Sequence, residues 1–158
     1  MVLKAKLIAC LNALGINPKM ETFSERKLMQ KLVYLLQKFG IDLGFYYNWY
    51  LHGPYSPGLT RVLFEIVEEG PKRHMALTQE QITKIAELRS ILGDDFRSSD
   101  KLELIVSIDY LRERARRIRA SDREVLKILK KQKPYFTEQE ISECWRKSVE
   151  LEEKLKKS

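Results

Sequence analysis

Toward transition-metal chemistry the chain offers only two histidines and two cysteines: His52, His74, Cys10 and Cys144. Metal sites draw on closely spaced ligands such as a Cys-x-x-Cys pair. No such pair and no His/Cys cluster occurs, so neither a metal nor another cofactor is expected. Each cysteine falls on or beside the apolar stripe of an expected helix, where a reduced thiol behaves as a small hydrophobe. His52 and Ser56 are types that serve as base and nucleophile, and they share the stretch His52-Gly53-Pro54-Tyr55-Ser56. A serine nucleophile needs an oriented base. No acidic residue close in sequence offers to orient His52, and no strand–turn–helix nucleophile motif frames Ser56. Only residues distant in sequence can complete such a set, and the expectation is a protein that is not an enzyme.

Recognition chemistry is better represented. Tyrosine joins a large apolar body to a hydroxyl that can stay wet, the property that enriches it at interfaces. Tyr46, Tyr50, His52, Tyr55 and Ser56 are therefore the expected contacts with a partner protein. A structural reading competes with this one: Gly53, Pro54, Pro57 and Gly58 build a rigid corner by geometry alone. The tyrosines can equally be covered by later helices of the same chain. A second cluster is basic. Arg112, Arg116 and Arg119 recur at i, i+4 and i+7 beside the apolar stripe of Leu111, Ala115 and Ile118. Glu113 and Arg117 are spaced to pair, which leaves those three arginines to contact phosphates or to cover the core edge with their stems. Nucleic acid is thus the alternative partner.

The elements that must position these residues are mostly helices. Val2–Leu14 reads as a helix with Leu3, Leu7, Ile8, Leu11 and Leu14 on one face and Gly15 as its stop. Thr22 and Glu25 form a capping box that opens a helix running to Phe39, with Leu28, Leu32, Leu35, Leu36 and Phe39 inward and Gly40 after it. In residues 45–51, Phe45, Tyr47, Trp49 and Leu51 alternate with Tyr46, Asn48 and Tyr50, a strand pattern. The turn formers of 52–58 reverse the chain. A helix over 59–68 follows, burying Leu59, Val62, Leu63, Ile66 and Val67. Residues 74–77, from His74, are expected to pair with the aromatic strand, since a lone strand leaves its backbone unbonded.

Further capping boxes, Thr78 with Gln81, Ser121 with Glu124 and Thr137 with Glu140, open later helices. Another helix spans about 99–119 with Leu104, Ile108, Leu111, Ala115 and Ile118 in one stripe. The last carries Ile141, Trp145 and Val149, and its charged tail, 150–158, is expected to fray. Six or seven helices and one small hairpin make the fold class mainly α. The helix over 59–68 takes the place of a recognition helix, before a wing at Lys72, Arg73 and His74. Its outward Glu65 and Glu68, with Glu69 at its end, would repel phosphates, so it is not expected to read a DNA groove.

Four stretches carry a family resemblance. Lys27-Leu28-Met29-Gln30-Lys31-Leu32-Val33-Tyr34-Leu35 followed by His52-Gly53-Pro54-Tyr55-Ser56 resembles the YwgA-like proteins of bacteria and archaea. Leu102-Glu103-Leu104-Ile105-Val106-Ser107-Ile108 and Lys133-Pro134-Tyr135-Phe136-Thr137 extend the likeness over about residues 24–145. That family is distantly similar to the SocA-like, or Panacea, antitoxin domain. The resemblance implies a helical core with a small β-element, winged-helix-like, and a role in binding rather than catalysis. Antitoxin relatives neutralise partner toxins or adapt them for degradation. This chain has Tyr55-Ser56 where many antitoxins have other residues after Gly-Pro.

Length and composition bound these readings. The 158 residues suit one domain over 1–158, large enough to bury about 70% of the unfolded surface without a disulfide or metal. Apolar residues at 44% and charged residues at 32% are a globular balance. No apolar run is long enough for a transmembrane helix, and Asn12 interrupts the one stretch that resembles a signal peptide. A cytoplasmic protein with no membrane partner is expected. The net charge of +7 permits an anionic partner without specifying one. The leading functional expectation is a non-enzymatic regulatory module that binds a protein. Oligomeric state is not legible.

Overall fold

The computed structural model describes residues 2–70 and 75–157. Its elements are α1 (Val2–Leu14), α2 (Phe23–Lys38), β1 (Asn48–Tyr50), β2 (Gly53–Tyr55), α3 (Pro57–Glu69), α4 (Gln79–Leu92), a 3-10 turn (Gly93–Arg97), α5 (Ser99–Arg117), α6 (Asp122–Gln132) and α7 (Glu138–Lys157). Local signals explain most of these bounds. Thr22 with Glu25, Thr78 with Gln81 and Thr137 with Glu140 exchange reciprocal side-chain bonds with each other's backbone amides. At Ser121 only half the box forms, its hydroxyl accepting from the Glu124 amide. The ends of α1 and α2 are each closed by a pair of backbone bonds across a left-handed residue, Gly15 and Gly40.

Helix α5 organises the rest. It packs against α2, α6, α7 and β2. Every residue from Leu102 to Ile108 is buried, including Glu103 and Ser107. A single amphipathic stripe was the expectation for this helix, and its first half is instead covered on all sides. Around it one cluster of buried side chains extends from Leu7 to Leu151.

Several expectations need correction. Pairing in the sheet is local: β1 runs antiparallel to β2, Asn48 opposite Tyr55 and Tyr50 opposite Gly53. The expected partner at 74–77 is not a strand over Met75–Leu77, and His74, like the expected wing at Lys72 and Arg73, lies outside the described residues. The tight reversal supplies bonds that the more distant segment was invoked to provide. Only three residues of the aromatic stretch enter the ladder, although Phe45, Tyr47 and Trp49 do pack inward while Tyr46 and Tyr50 face out. Leu51 departs from this alternation and is 83% exposed, because it sits at the hairpin turn. Leu3 and Val67 are also exposed.

Helix α5 stops at Arg117, and Ile118, expected in its stripe, is 70% exposed. The C-terminal tail, expected to fray, is helical through Lys157. Residues 150–157 continue α7, with Leu151 buried and Glu152 drawn toward the basic end of α5.

Candidate functional site

The hairpin is held by side chains of α2. Gln30 is buried and grips Ser56 twice, its Nε2 donating to the Ser56 carbonyl at 2.9 Å and its Oε1 accepting the Ser56 amide at 2.8 Å. It also donates to Thr60 Oγ1 at 2.8 Å, and that hydroxyl lies 2.7 Å from the Tyr55 hydroxyl. Tyr47 donates to the Gln30 carbonyl at 2.7 Å. Trp49 stacks on Tyr110 and donates to Gln132 at 3.0 Å. Gly53 turns the strand at φ 87, and a Cβ there would meet Ser107 Oγ at 2.4 Å. This glycine is required twice, by backbone conformation and by close approach to α5.

Beneath the hairpin lies a buried charge cluster. Glu103 is fully buried and accepts from Lys133 at 2.7 Å, Lys27 at 2.9 Å and the Tyr135 hydroxyl at 2.6 Å. Burial pushes its carboxyl up, but those three hydrogen bonds outweigh it and hold the group below its ordinary 4.5. Lys31, 1% exposed, donates to the Pro54 carbonyl at 2.6 Å. Burial lowers its ammonium to about 7, with Lys133 and Lys27 adding to that effect and Glu103 opposing it. Removing Glu103 leaves Lys133 buried without a counter-charge, a loss of about 3–5 kcal/mol.

Above the cluster, a cleft of about 360 Å³ opens between α2 and the hairpin. Phe23, Tyr50 and Leu51 form its apolar rim, while Arg26, Lys27, Lys31 and His52 also line it. Phe23 meets the His52 ring edge-on at 4.8 Å. His52 Nδ1 lies 3.5 Å from Glu103 Oε1 without a hydrogen-bond partner. The acid near His52 thus comes from α5, far away in sequence, and the separation is too long to orient the ring.

The expected contact residues divide. Tyr46 is 89% exposed and Tyr50 also faces solvent, while Tyr55 is half-buried and meets the Tyr50 ring at 5.3 Å. Ser56 is a correction: it is buried, and its hydroxyl caps α3 by accepting the Leu59 amide at 3.3 Å. Neither a partner nor a substrate meets it at the surface. Cys10 and Cys144 are buried free thiols, pushed up to about 11 and about 12, mainly by burial.

The arginine ridge is a second correction. Arg112 bonds Glu152 at 3.2 Å, Arg116 is paired with the same carboxylate, and the Arg112 guanidinium lies over Trp145. Arg119 has left the helix at φ 58 and does not continue the row. Glu113 does bind Arg117, as the spacing implied, and also Lys38 at 2.7 Å. The acidic face of α3 is likewise engaged, Glu65 pairing with Lys4 at 2.7 Å.

Sequence reasoning missed Lys31, Glu103, Lys133 and Gln30 as members of the site. One signal was present: a glutamate inside the apolar run 102–108, and a lysine inside the leucine-rich stretch 28–36. Lys27, His52, Lys133 and Tyr135, from four separate stretches of the chain, meet around Glu103. Among the described residues no group of three or more His, Cys, Asp or Glu is placed to hold a metal, and no helix is long and apolar enough to cross a membrane. Comparison with known proteins finds no family model, no curated protein and no solved structure that matches the chain.

Proposed function

We propose that this protein is a non-enzymatic binding module that recognises another protein through the β1–β2 hairpin and the cleft beside it. The supporting observation is the exposure of Leu51 at the hairpin turn, 83%, and of Tyr46 in the segment leading into β1, 89%, beside a hairpin that is otherwise firmly anchored. Phe23 and Tyr50 extend this surface along the cleft. Large side chains on a rigid support lose little conformational entropy on binding, which is why such residues dominate interfaces. A regulatory role, antitoxin- or adaptor-like, rests on the sequence resemblance alone. Two buried, unpaired thiols suit a reducing compartment, and we assign the protein to the cytoplasm on that ground. Nucleic acid is disfavoured as partner because the arginines that would contact phosphates are paired with Glu152 or displaced from the helix.

The test is to recover the tagged protein from its native host, identify what is bound, and repeat with Tyr46→Ser combined with Leu51→Ser. A copurifying protein should bind at least about tenfold more weakly to the double variant, with the melting temperature unchanged. Undiminished binding to a folded double variant removes the hairpin from the interface. Copurification of nucleic acid alone would favour the alternative partner.

A further inference from the structure

The cleft's charge is unbalanced. Arg26, Lys27, Lys31 and His52 line it, and no carboxylate does. Part of the positive charge is answered from below, where Glu103 binds Lys27 and Lys133, and Asp100 reaches Lys27 at 2.7 Å. The rest is met only by carbonyls. Arg26 donates to those of Met20 and Glu21, at 3.0 and 2.9 Å, and Lys31 to that of Pro54. Arg26, Lys27, Lys31 and Lys133 thus share two carboxylates, Glu103 and Asp100. His52 Nδ1, buried without a hydrogen-bond partner, lies 3.5 Å from Glu103 Oε1. Buried cations are costly unless an anion balances them.

We propose that the cleft receives an acidic side chain of the partner polypeptide, with its apolar neighbours resting on Phe23, Tyr50 and Leu51. This rests on the protein-binding reading above and adds the partner's chemistry. Charge complementarity selects the occupant. With Lys31 pushed down to about 7, the outstanding charge near neutral pH lies between one and two. A carboxylate stays within that, and a phosphate dianion overshoots it. The apolar rim favours an acid flanked by hydrophobic residues over a free, fully hydrated anion. An arriving carboxylate would also stabilise the Lys31 ammonium against Lys27 and Lys133, the cations that face it, and supplement Glu103. Affinity should therefore decline as pH rises through about 7.

The probes are three end-blocked tripeptides: leucine–glutamate–leucine, its glutamine counterpart and its phosphoserine counterpart. Each is titrated at millimolar concentration into the isotope-labelled full chain while amide resonances are followed. The glutamate peptide should shift the amides of Phe23, Gly53 and Tyr55, and the glutamine peptide should bind about tenfold more weakly. Lys31→Met and, separately, Arg26→Gln should reduce that preference in proteins that still melt cooperatively. Having two variants keeps the test usable if one fails to fold. Equal binding of glutamate and glutamine peptides overturns the proposal, as do shifts confined to another surface or the absence of any shift. Preference for the phosphoserine peptide overturns it in favour of a phosphate site. If a natural partner depends on Tyr46 and Leu51 but ignores Lys31→Met and Arg26→Gln, this inference falls while the protein-binding reading stands.

Discussion

Lys31 stands between Gln30 and Leu32 on the buried side of α2, and no carboxylate hydrogen-bonds its ammonium, which donates to the Pro54 carbonyl. Its titration gives a direct stability prediction. The unfolded chain keeps this proton up to the ordinary 10.5, whereas the folded protein releases it at about 7. Between those values the unfolded state binds more protons, so stability rises with pH; below about 7 the cost of burying the cation is carried in full. Relative to Lys31→Met, which cannot titrate, the wild type should gain on the order of 5 kcal/mol across that window. Urea midpoints of both proteins over a pH series measure this. A difference that stays flat would mean that the ammonium is solvated in the folded state. Glu103 behaves oppositely: its lowered carboxyl contributes stability above 4.5 that is lost as pH falls through the folded value.

Among the elements, the end of α5 carries a local conflict. Ala120 and Arg119 donate to the carbonyls of Ala115 and Arg116, the bond pair that also closes α1 and α2. Those two helices use Gly15 and Gly40 at the left-handed position, where α5 uses Arg119 at φ 58. A residue with a Cβ loses about 1 kcal/mol there. Arg119→Gly should therefore raise stability by up to about 1 kcal/mol, partly offset by the added freedom of glycine in the unfolded chain. Thermal melts of the two proteins decide it, and a destabilised glycine variant would show that the Arg119 side chain makes a compensating contact.

At the scale of the whole molecule, α7 closes the fold. Its last turns are charged in sequence, yet Leu151 is buried in the shared core and Glu152 joins Arg112 and Arg116. Leu151→Ala should destabilise the protein by about 2–5 kcal/mol, read as a shift in the urea midpoint. A frayed tail would give a change within about 0.5 kcal/mol. The closure sets Glu152 against Arg112 and Arg116. The cleft beside α2 is left uncovered by α7, and among its cations Lys27 is paired with Glu103 and Asp100 while Arg26 and Lys31 meet only carbonyls.

Helix number, most helix starts and the inward sides of α1, α2 and the aromatic stretch were legible in the sequence, because each is decided by bonds and packing within a few residues. Thr22 needs only Glu25, and Gly40 needs only the turn before it. The exposure of Tyr46 followed from alternation with Phe45 and Tyr47. The charge cluster was not legible. Glu103 lies 76 positions from Lys27 and 30 from Lys133, and a charged residue taken alone belongs by default to a solvated face. Only tertiary packing brought those groups together, where burial makes each dependent on the others. The same physics dissolved the arginine ridge: its spacing was correct as far as Arg116, but a carboxylate from α7, 40 positions beyond Arg112, had already claimed it. Periodicity specifies which face of a helix can be used, and the tertiary structure decides which of its charges remain to be answered by a partner.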